Sequence, residues 1–516
     1  MTADATLRLR LVENELRFDD ETAIAATAID GGWILPAGPV SVTHDLGSCA
    51  FYRHGWNSWS PTGWAPLTDS PMRIYGDAPR LLTADDAATD RPDRHEGSGL
   101  GALELPDGRV LLLGALGLGT PRVGASPDEL WATLESQGSD WFLGLGDEAV
   151  VFARYAELLR ERLGTPPAER VDTLWCSWYS FFEDIDETLV NKTIDDLGDL
   201  PFDVVQLDDG WERIVGDWTA NERFPSGMAA IAERIAARGS RPGLWLAPFI
   251  CLPDSAIVRD HPDWLVHAAS GEPLVAGYNW DSHYYALDTT HPAAADHLDR
   301  VFAELVGFGF RYLKLDFLYA GALPGVRHLD LPREQVYRDA LLRIRRVVGD
   351  DVYLLGCGAP LLPSVGVLDG VRVGPDTASD WVRPGTVEDP SHEGGLNGLT
   401  ASVERLWMSD LFQVDPDVAF FRSAHTTLTP EQREALQLIA RVSGFRSTSD
   451  PIDWMSADEA DSLRVFLERS EEVRRTGRYR YEVGDEVVDF TPFVREVRTG
   501  REHLRETNLV APGASE

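Results

Sequence analysis

The sequence predicts a multidomain α/β protein built around a (β/α)8 TIM barrel, and three observations predict this fold. Short apolar segments alternate with amphipathic helices from about residue 171 onward. Eight such units fit into roughly 280 residues, as a barrel requires. An open doubly wound sheet usually has fewer strands and a glycine-rich phosphate loop, and the sequence contains no such loop.

Residues 1–165 form the first predicted domain, which is rich in β-strands. LRLRLVENELRF and WILPAGPVSVTH alternate apolar and polar residues, and ALELPDGRVLLLGAL places Pro-Asp-Gly between two apolar runs, as in a hairpin turn. A linker helix, DEAVVFARYAELLRERLG, follows, and the proline-rich TPPAER then marks the boundary.

Residues 166–470 form the predicted barrel. TPEQREALQLIARVSG is its clearest helix, since Thr429 and Gln432 complete a capping box and Gly444 ends the helix. Residues 471–516, with RYRYEV and EVVDFTPFVREV, predict a small C-terminal β-domain and a disordered tail, LVAPGASE. The eight strands of the barrel are predicted at 171–181, 202–209, 241–249, 312–318, 351–358, 370–376, 417–421 and 444–448.

Composition narrows the classes of function. The net charge of −37, from 47 basic and 84 acidic residues, argues against nucleic acid and anionic membranes as partners. The four cysteines, at positions 49, 176, 251 and 357, are too scattered to predict a disulfide framework or a metal site. The first residues lack the pattern of a signal peptide, and no run of about 18 apolar residues occurs. We therefore expect a soluble cytoplasmic protein that acts on a neutral small molecule.

The predicted fourth strand, YLKLDFLYAG, carries Lys314 and Asp316 on one face, because side chains two apart in a strand point the same way. Lysine occurs only at positions 192 and 314, so the other 45 basic residues are arginines. One interpretation is an edge strand with a solvated ion pair. The other is a buried strand whose charged end opens into a polar cleft, and the retained lysine favours this one.

Other strand ends carry polar or aromatic side chains as well. The βα loops at the carboxyl ends of barrel strands build the catalytic sites of this fold. Each residue taken singly could cap a loop or satisfy an ion pair, but their convergence at one mouth predicts a site. The strand ends contribute Trp178 and Tyr179, Asp208 and Asp209, Trp245, Lys314 and Asp316, Cys357, and Arg372 and Asp376.

This set suits cleavage of a glycosidic bond, which uses two carboxyl groups about 5 to 5.5 Å apart in retaining enzymes. Lys314 is expected to lower the pKa of Asp316 and keep it ionised, as a nucleophile requires. Burial and the charge of Asp316 would raise the pKa of Asp376, although Arg372 would oppose this. Tryptophans at the strand ends suit the apolar faces of a sugar.

Several motifs resemble those of the α-galactosidases of glycoside hydrolase family 36. The resemblance covers about residues 30–460 and implies an N-terminal β-sandwich, a catalytic barrel and a short C-terminal β-domain. HGWNSWSPTGW resembles a family motif in which Asn and Gln stand in place of His54 and Asn57. The other matching segments are WCSWYSFFEDI, VVQLDDGW, GLWLAPF, YLKLDFLYAGAL and GCGAPLLPSVGVLDGVRVGPDTA.

By this resemblance Asp316 is the nucleophile and Asp376 the acid/base, with Asp380 as an alternative proton donor. Asp208 and Asp209 would bind the outer hydroxyls of the sugar, notably the axial O4 of galactose. Trp56 and Trp59 belong to a loop that either reaches over the barrel mouth or forms a local aromatic core. The remaining residues expected to contact the substrate are Trp178, Tyr179, Trp245, Lys314, Cys357 and Arg372.

The resemblance implies a retaining exo-α-galactosidase that needs no metal or cofactor and takes α-galactosides or oligosaccharides as substrates. Two alternatives share the mechanism: a galactosyl transferase of the raffinose-synthase type and an α-N-acetylgalactosaminidase. A third, of another class, is a non-catalytic carbohydrate-binding protein, which would have no use for both Asp316 and Asp376. The oligomeric state stays open, a homo-oligomer included.

Overall fold

The computed structural model describes residues 6–74, 76–87, 94–136, 138–168, 170–383, 389–469 and 471–494. The predicted disordered tail lies outside these ranges. Among the described residues, no helix is both long enough and apolar enough to cross a membrane.

Two β-sheets form the N-terminal part. Leu100–Glu104 pairs with Val110–Ala115 around the predicted Pro-Asp-Gly turn, which confirms that hairpin. One sheet has the strand order Glu15–Phe18, Leu7–Val12, Val40–Thr43, Glu129–Leu134, Pro121–Ser126 and His95–Ser98. The other has the order Thr27–Ile29, Gly32–Leu35, Trp141–Gly146, Val110–Ala115, Leu100–Glu104, Ala50–Arg53 and Gly63–Pro66.

The central sheet has eight parallel strands, and we number them in chain order as the first to eighth parallel strands. Val418 follows the seventh strand and forms a parallel bridge with Ser447 of the eighth strand. The two edges of the sheet therefore meet. In chain order the strands are Thr173–Cys176, Val204–Leu207, Arg241–Leu246, Tyr312–Leu315, Tyr353–Gly356, Gly370–Arg372, Gln413–Asp415 and Arg446–Thr448.

Helices separate these strands, and the capping box of Thr429 and Gln432 is confirmed, with Gly444 in the left-handed conformation at the end of that helix. The helices of ten or more residues are Glu148–Leu163, Glu187–Asp196, Met228–Ala237, Pro292–Gly307, Arg333–Val348, Gly395–Arg405, Pro430–Ser443 and Ala457–Glu468. The shorter α-helices are Asp20–Ala25, Ala78–Leu82, Trp178–Phe181, Ala256–Asp260 and Leu361–Ser364. Single 3-10 turns occur at Asp85–Ala87, Pro262–Trp264, Leu318–Ala322, Leu406–Asp410 and Ile452–Trp454.

Two smaller antiparallel sheets complete the fold. The first follows the third parallel strand and consists of Ile250–Cys251, Ser282–Ala286 and Val275–Asn279. The second is C-terminal and consists of Val473–Gly477, Arg480–Val483 and Glu486–Asp489.

One predicted strand was wrong, and others were too long. The seventh parallel strand is Gln413–Asp415 rather than 417–421, because Asp417 has a φ of 79° that interrupts the extended chain. The amides of Phe421 and Arg422 then bond to the carboxylate of Asp450 instead of a sheet neighbour. The first strand ends at Cys176, and residues 178–181 form a helical turn.

The N-terminal part docks on the parallel sheet through the loop HGWNSWSPTGW. Arg405, at the end of the helix Gly395–Arg405, donates from Nη2 to the carbonyls of Asn57 (2.8 Å) and Ser60 (3.0 Å). Gly358 donates its amide to the Ser58 hydroxyl at 3.1 Å. Gly358 has a φ of 56°, and a Cβ there would lie 2.5 Å from the ring of Trp59. The close approach therefore requires glycine at this position.

Candidate active site

The fourth parallel strand ends at Leu315, and a local backbone turn aims Asp316 away from the sheet. Phe317 follows with a φ of 51°, an uncommon left-handed conformation for a residue other than glycine. Asp316 accepts hydrogen bonds from its neighbour's amide (Phe317 N, 2.7 Å) and from Trp245 Nε1 (3.0 Å). Two donors therefore fix the carboxylate and favour its ionised form.

Burial nevertheless raises the pKa of Asp316, and the nearby charge of Asp376 adds to this. Lys314 acts in the expected direction and lowers the pKa, but it does not outweigh burial. The expectation that the neighbouring cation sets the pKa of Asp316 below its usual value was therefore wrong.

Lys314 contacts a different carboxylate. Its Nζ lies 2.8 Å from Asp208 Oδ2, and both side chains are at most 4% exposed. Burial alone would lower the pKa of Lys314, but Asp208 reverses that and raises it well above the usual value. Asp208 also accepts from Gln206 Nε2 at 2.7 Å. Lys314 is therefore a buried cation that connects the fourth parallel strand to the end of the second.

Arg372, on the sixth parallel strand, organises the second predicted catalytic carboxylate. Its guanidinium lies 3.0 Å from Asp376, 2.9 Å from Asp415 and 2.9 Å from Asp417. The hydroxyl of Tyr179 donates to Asp417, and Arg372 donates to that hydroxyl at 3.2 Å. Asp376 is thus held at the open edge of a buried charge network, with 42% of its side chain exposed.

The surroundings of Asp376 raise its pKa. Enclosure in the protein is the first cause and the charge of Asp417 the second, whereas Arg372 and Lys314 lower it. The raised pKa agrees with the expectation from the sequence, although Asp417 rather than Asp316 is the leading charged cause. A carboxyl group with a raised pKa can hold a proton near neutral pH, as a general acid must.

Asp209 forms a second pair of carboxyl groups with Glu212. Burial raises the pKa of Asp209 to about 10, and the charge of Glu212 and a hydrogen bond to it add to this effect. Burial also raises the pKa of Glu212. Two carboxyl oxygens form a hydrogen bond only when a proton lies between them, so the pair shares a proton at neutral pH. Trp280 Nε1 donates to the other side of Asp209 at 2.8 Å.

These side chains surround a pocket with a volume of about 260 Å³ at the carboxyl ends of the parallel strands. The pocket brings together most of the predicted site. The predicted residues that line it are Trp59, Trp178, Tyr179, Asp208, Asp209, Trp245, Lys314, Asp316, Asp376 and Asp380. Arg372 lies directly behind Asp376.

Three predicted substrate contacts do not line the pocket: Arg372, Trp56 and Cys357. Trp56 is 2% exposed, and its amide donates to Asp86 at 3.0 Å while Arg333 packs over its ring. It belongs to the core of the loop, whereas Trp59 reaches the pocket and packs against Phe317 and Tyr319. Cys357 is 4% exposed and also lies outside the lining of the pocket, because its backbone bonds to Leu315 and Leu318 turn it into the interior.

Several residues of the site escaped the sequence analysis. Trp280 comes from the hairpin inserted after the third parallel strand, which has no counterpart in the simple alternation of strands and helices. Asp415 is the last residue of the true seventh strand and Asp417 follows it, so the strand predicted at 417–421 did not place them at a strand end. Glu212 stands in the segment DDGWE, where a third carboxylate near Asp208 and Asp209 was a usable signal.

A larger cavity of about 560 Å³ lies at the opposite end of the parallel sheet, near Asp172 and Arg446, where the first and eighth strands begin. Active sites of this architecture lie at the carboxyl ends of the strands. The smaller pocket is therefore the candidate active site.

Comparison with known proteins identifies the family of the chain. The Melibiase family model matches residues 144–347. The structure of TtGalA, an α-galactosidase from Thermus thermophilus in complex with p-nitrophenyl α-D-galactopyranoside, is 42% identical, covers 91% of this chain and 96% of that one, and has a TM-score of 0.83. The chain belongs to the α-galactosidases of glycoside hydrolase family 36.

A more distant relative matches a shorter part of the chain. The α-galactosidase AgaA of Geobacillus stearothermophilus is 28% identical over 213 residues, which are 38% of this family 36 chain and 28% of that protein. The aligned region thus spans about a quarter of the length of that curated relative. A crystal structure of AgaA, 16% identical with a TM-score of 0.58, covers 84% of this chain and shares its fold.

Proposed function

We propose that this protein is a retaining exo-acting α-galactosidase that hydrolyses terminal α-galactosides by double displacement. One observation carries the proposal: Asp316 and Asp376 follow next-but-one parallel strands and line one pocket that also holds the Lys314 and Asp208 pair. Both carboxylates are close enough for Asp376 to raise the pKa of Asp316.

In the first step, the carboxylate of Asp316 attacks the anomeric carbon, and the carboxyl group of Asp376 gives its proton to the leaving oxygen. The bonds from Trp245 to one oxygen and from the Phe317 amide to the other orient the attacking carboxylate. Ester formation removes the negative charge of Asp316 and with it the repulsion between Asp316 and Asp376.

In the second step, Asp376, now ionised, removes a proton from water, which attacks the β-galactosyl ester and releases α-galactose. Arg372 stabilises the carboxylate form of Asp376 at this stage, because it lies 3.0 Å away. The same guanidinium that opposes protonation in the resting state thus supports the base form in the second step.

The remaining polar groups suit a neutral sugar with several hydroxyls. Asp208 and Asp209 present carboxyl oxygens to the pocket, and Lys314 presents an ammonium group. Trp59, Trp245 and Trp280 provide aromatic walls for the apolar face of the ring. We assign these residues to the binding of galactose. In this proposal the chain has three domains: an N-terminal β-sandwich (1–165) that supplies Trp59, a (β/α)8 barrel (166–470) that supplies the carboxylates, and a small C-terminal β-domain (471–516).

The test is an assay of the purified protein on p-nitrophenyl α-galactoside, α-glucoside and α-N-acetylgalactosaminide. The proposal expects turnover of the galactoside alone, with α-galactose as the first product in the proton NMR spectrum. Formation of β-galactose first, or preference for another glycoside, would contradict it. The ratio of free galactose to transfer product separates hydrolysis from transfer to a sugar acceptor.

A further inference from the structure

Arg405, the last residue of the helix Gly395–Arg405, is a buried cation that the mechanism above does not use. Among the described residues, its guanidinium donates only to carbonyl oxygens and forms no ion pair. Burial lowers the pKa of Arg405 to about 10, so the group is still charged at neutral pH. A buried charge without a carboxylate partner is costly, and we therefore asked what its contacts hold in place.

One set of contacts is with the loop that carries Trp59. Nη2 of Arg405 donates to the carbonyls of Asn57 and Ser60, the two ends of a turn that the Ser60 amide closes onto the Asn57 carbonyl at 3.1 Å. Inside this turn, the Trp59 amide donates to the Asn57 side chain at 3.0 Å. A Cβ at Gly55 would lie 2.5 Å from the same Nη2, so the loop packs directly on the guanidinium. Arg405 thus fixes the turn from which Trp59 reaches the pocket.

The other contact is with the backbone that leads to Asp376. Nη1 of Arg405 donates to the carbonyl of Val373, the residue directly after the sixth parallel strand. The carbonyl of Asp376, three residues further on, accepts from the amide of Gly394 at 2.9 Å, and Gly394 directly precedes the helix that Arg405 ends. The helix is therefore bonded at both of its ends to the segment from Val373 to Asp376.

This helix also packs closely on that segment. A Cβ at Gly374 would lie 2.9 Å from the carbonyl oxygen of Gly398, in the middle of the helix. A Cβ at Gly398 would lie 3.0 Å from the methyl group of Thr377. Such close packing leaves little room for the segment to shift independently of the helix. A displacement of the helix end at Arg405 therefore passes to Asp376.

One planar guanidinium can bond to three carbonyls from two segments because its donors form a fixed fork, which a lysine ammonium does not reproduce. We propose that Arg405 is a positioning residue that holds Trp59 and Asp376 in a fixed relation, so that the aromatic wall and the proton donor engage one galactoside together. Arg405 itself does not line the pocket. This inference rests on the proposed α-galactosidase activity.

The test compares kcat/KM on p-nitrophenyl α-galactoside and on methyl α-galactoside. This ratio reports the first chemical step, in which methanol needs protonation by the acid far more than nitrophenolate does. Arg405→Lys should lower kcat/KM about a hundredfold on the methyl glycoside and about tenfold on the nitrophenyl glycoside. Arg405→Gln, a neutral variant with one amide donor group, should show the same pattern.

A double-mutant cycle tests whether Arg405 acts on binding through Trp59. Trp59→Ala and Arg405→Lys should each raise KM for the nitrophenyl glycoside. The double variant should have a KM within about twofold of Trp59→Ala, because the ring that Arg405 positions is already absent. The loss on the methyl glycoside should persist in the double variant, since it comes from Asp376. Additive increases in KM would contradict the inference.

Arg338 provides a matched control for the loss of a buried fork. It also donates only to carbonyls among the described residues, and none of the residues it contacts lines the candidate active site. Arg338→Lys should keep wild-type kcat/KM on both glycosides. The carbonyls that accept from Arg338 are those of Leu163, Pro363 and Val365.

Ser58→Ala separates the two sets of contacts. It removes the hydroxyl that accepts from the Gly358 amide, which loosens the turn of Trp59 and leaves the segment before Asp376 unchanged. It should raise KM for the nitrophenyl glycoside and lower kcat/KM on both glycosides by the same factor. A larger loss on the methyl glycoside in Ser58→Ala would contradict the separate roles of the two contacts.

Two further outcomes overturn the inference alone. Equal losses on the two glycosides in Arg405→Lys, or failure of both Arg405 variants to fold, would show that Arg405 serves only the fold. If the wild-type protein releases no galactose even from the nitrophenyl glycoside, the proposed activity fails and the inference fails with it. The wild-type measurement therefore distinguishes the two failures.

Discussion

The ammonium group of Lys314 lies 2.8 Å from the carboxylate of Asp208, although Asp316 is the acid closest to it in sequence. Both side chains are buried. In the described part of the site, Lys314 is the only cation that donates a hydrogen bond to Asp208, and Asp208 is the only carboxylate that accepts one from Lys314. Buried pairs of this kind lose much stability when one partner is removed, because the other charge stays buried without compensation.

Lys314→Met should lower the free energy of unfolding by about 3 to 5 kcal/mol. The double variant Lys314→Met/Asp208→Asn should recover part of that loss, since no uncompensated charge remains, but it should not recover activity. Denaturant unfolding of the single and double variants measures both effects. Equal stability of Lys314→Met and the wild type would contradict the conclusion that Lys314 and Asp208 form a buried ion pair.

Asp316→Ala should lower kcat by several orders of magnitude while leaving the unfolding transition nearly unchanged, as deletion of a nucleophile does. Asp380→Ala is the control, because Asp380 lines the same pocket but accepts a hydrogen bond from the Thr427 hydroxyl at 2.6 Å. It should retain activity within about tenfold of the wild type. Substantial activity in Asp316→Ala would refute the assignment.

Trp56 and Trp59 should respond differently to truncation. Trp59→Ala should raise KM for an aryl α-galactoside, because the ring lines the pocket. Trp56→Ala should instead destabilise the protein by about 3 to 5 kcal/mol, since it empties a buried site. The comparison of KM with the unfolding midpoint checks both, and an unchanged KM in Trp59→Ala would show that the loop does not complete the pocket.

The Asp209 and Glu212 pair predicts a pH dependence of stability. Asp209 ionises near pH 4 in the unfolded chain but has a pKa of about 10 in the folded protein, so the folded state binds more protons between these values. The free energy of unfolding should therefore decrease as the pH rises through this range.

Glu212→Gln should weaken that decrease in the free energy of unfolding, because the glutamine amide donates a hydrogen bond to Asp209 and does not titrate. Burial and the charge of Asp208 still raise the pKa of Asp209 in this variant. Melting temperatures between pH 5 and 9 measure the slope. Glu233→Gln, at an exposed position on the helix Met228–Ala237, is the control. Identical slopes for Glu212→Gln and the wild type would show that the pair holds no shared proton.

Seven of the eight parallel strands lie within the ranges that their short apolar runs predict. Six strands of the parallel sheet fall within the predicted ranges up to Arg372, and the eighth falls within 444–448. The apolar runs and the charges at their ends thus placed Asp208, Asp316 and Asp376 at one mouth, where they line the same pocket. These signals are local, and burial in a parallel sheet makes them strong.

The remaining features depend on contacts between distant segments. The partner of Lys314 could not be read from the alternation of the fourth strand, because Asp208 comes from the second. Trp56 and Trp59 stand three residues apart, and only the docking of their loop against Gly358 decides which one reaches the pocket. The pKa of Asp316 follows burial, which a spacing of charges does not reveal.

The central claim is the division of roles between Asp316 and Asp376, and rescue by azide tests it directly. In Asp376→Ala, azide can attack the β-galactosyl ester on Asp316, and the product has the α configuration after two inversions. In Asp316→Ala, azide can occupy the space of the lost carboxylate and displace the leaving group once, which yields the β configuration.

The decisive measurement is the anomeric configuration of the galactosyl azide that each variant forms from p-nitrophenyl α-galactoside, determined by proton NMR. The account predicts α-galactosyl azide from Asp376→Ala and β-galactosyl azide from Asp316→Ala. The reverse pattern, or the same anomer from both variants, would contradict the assignment of Asp316 as nucleophile and Asp376 as acid/base.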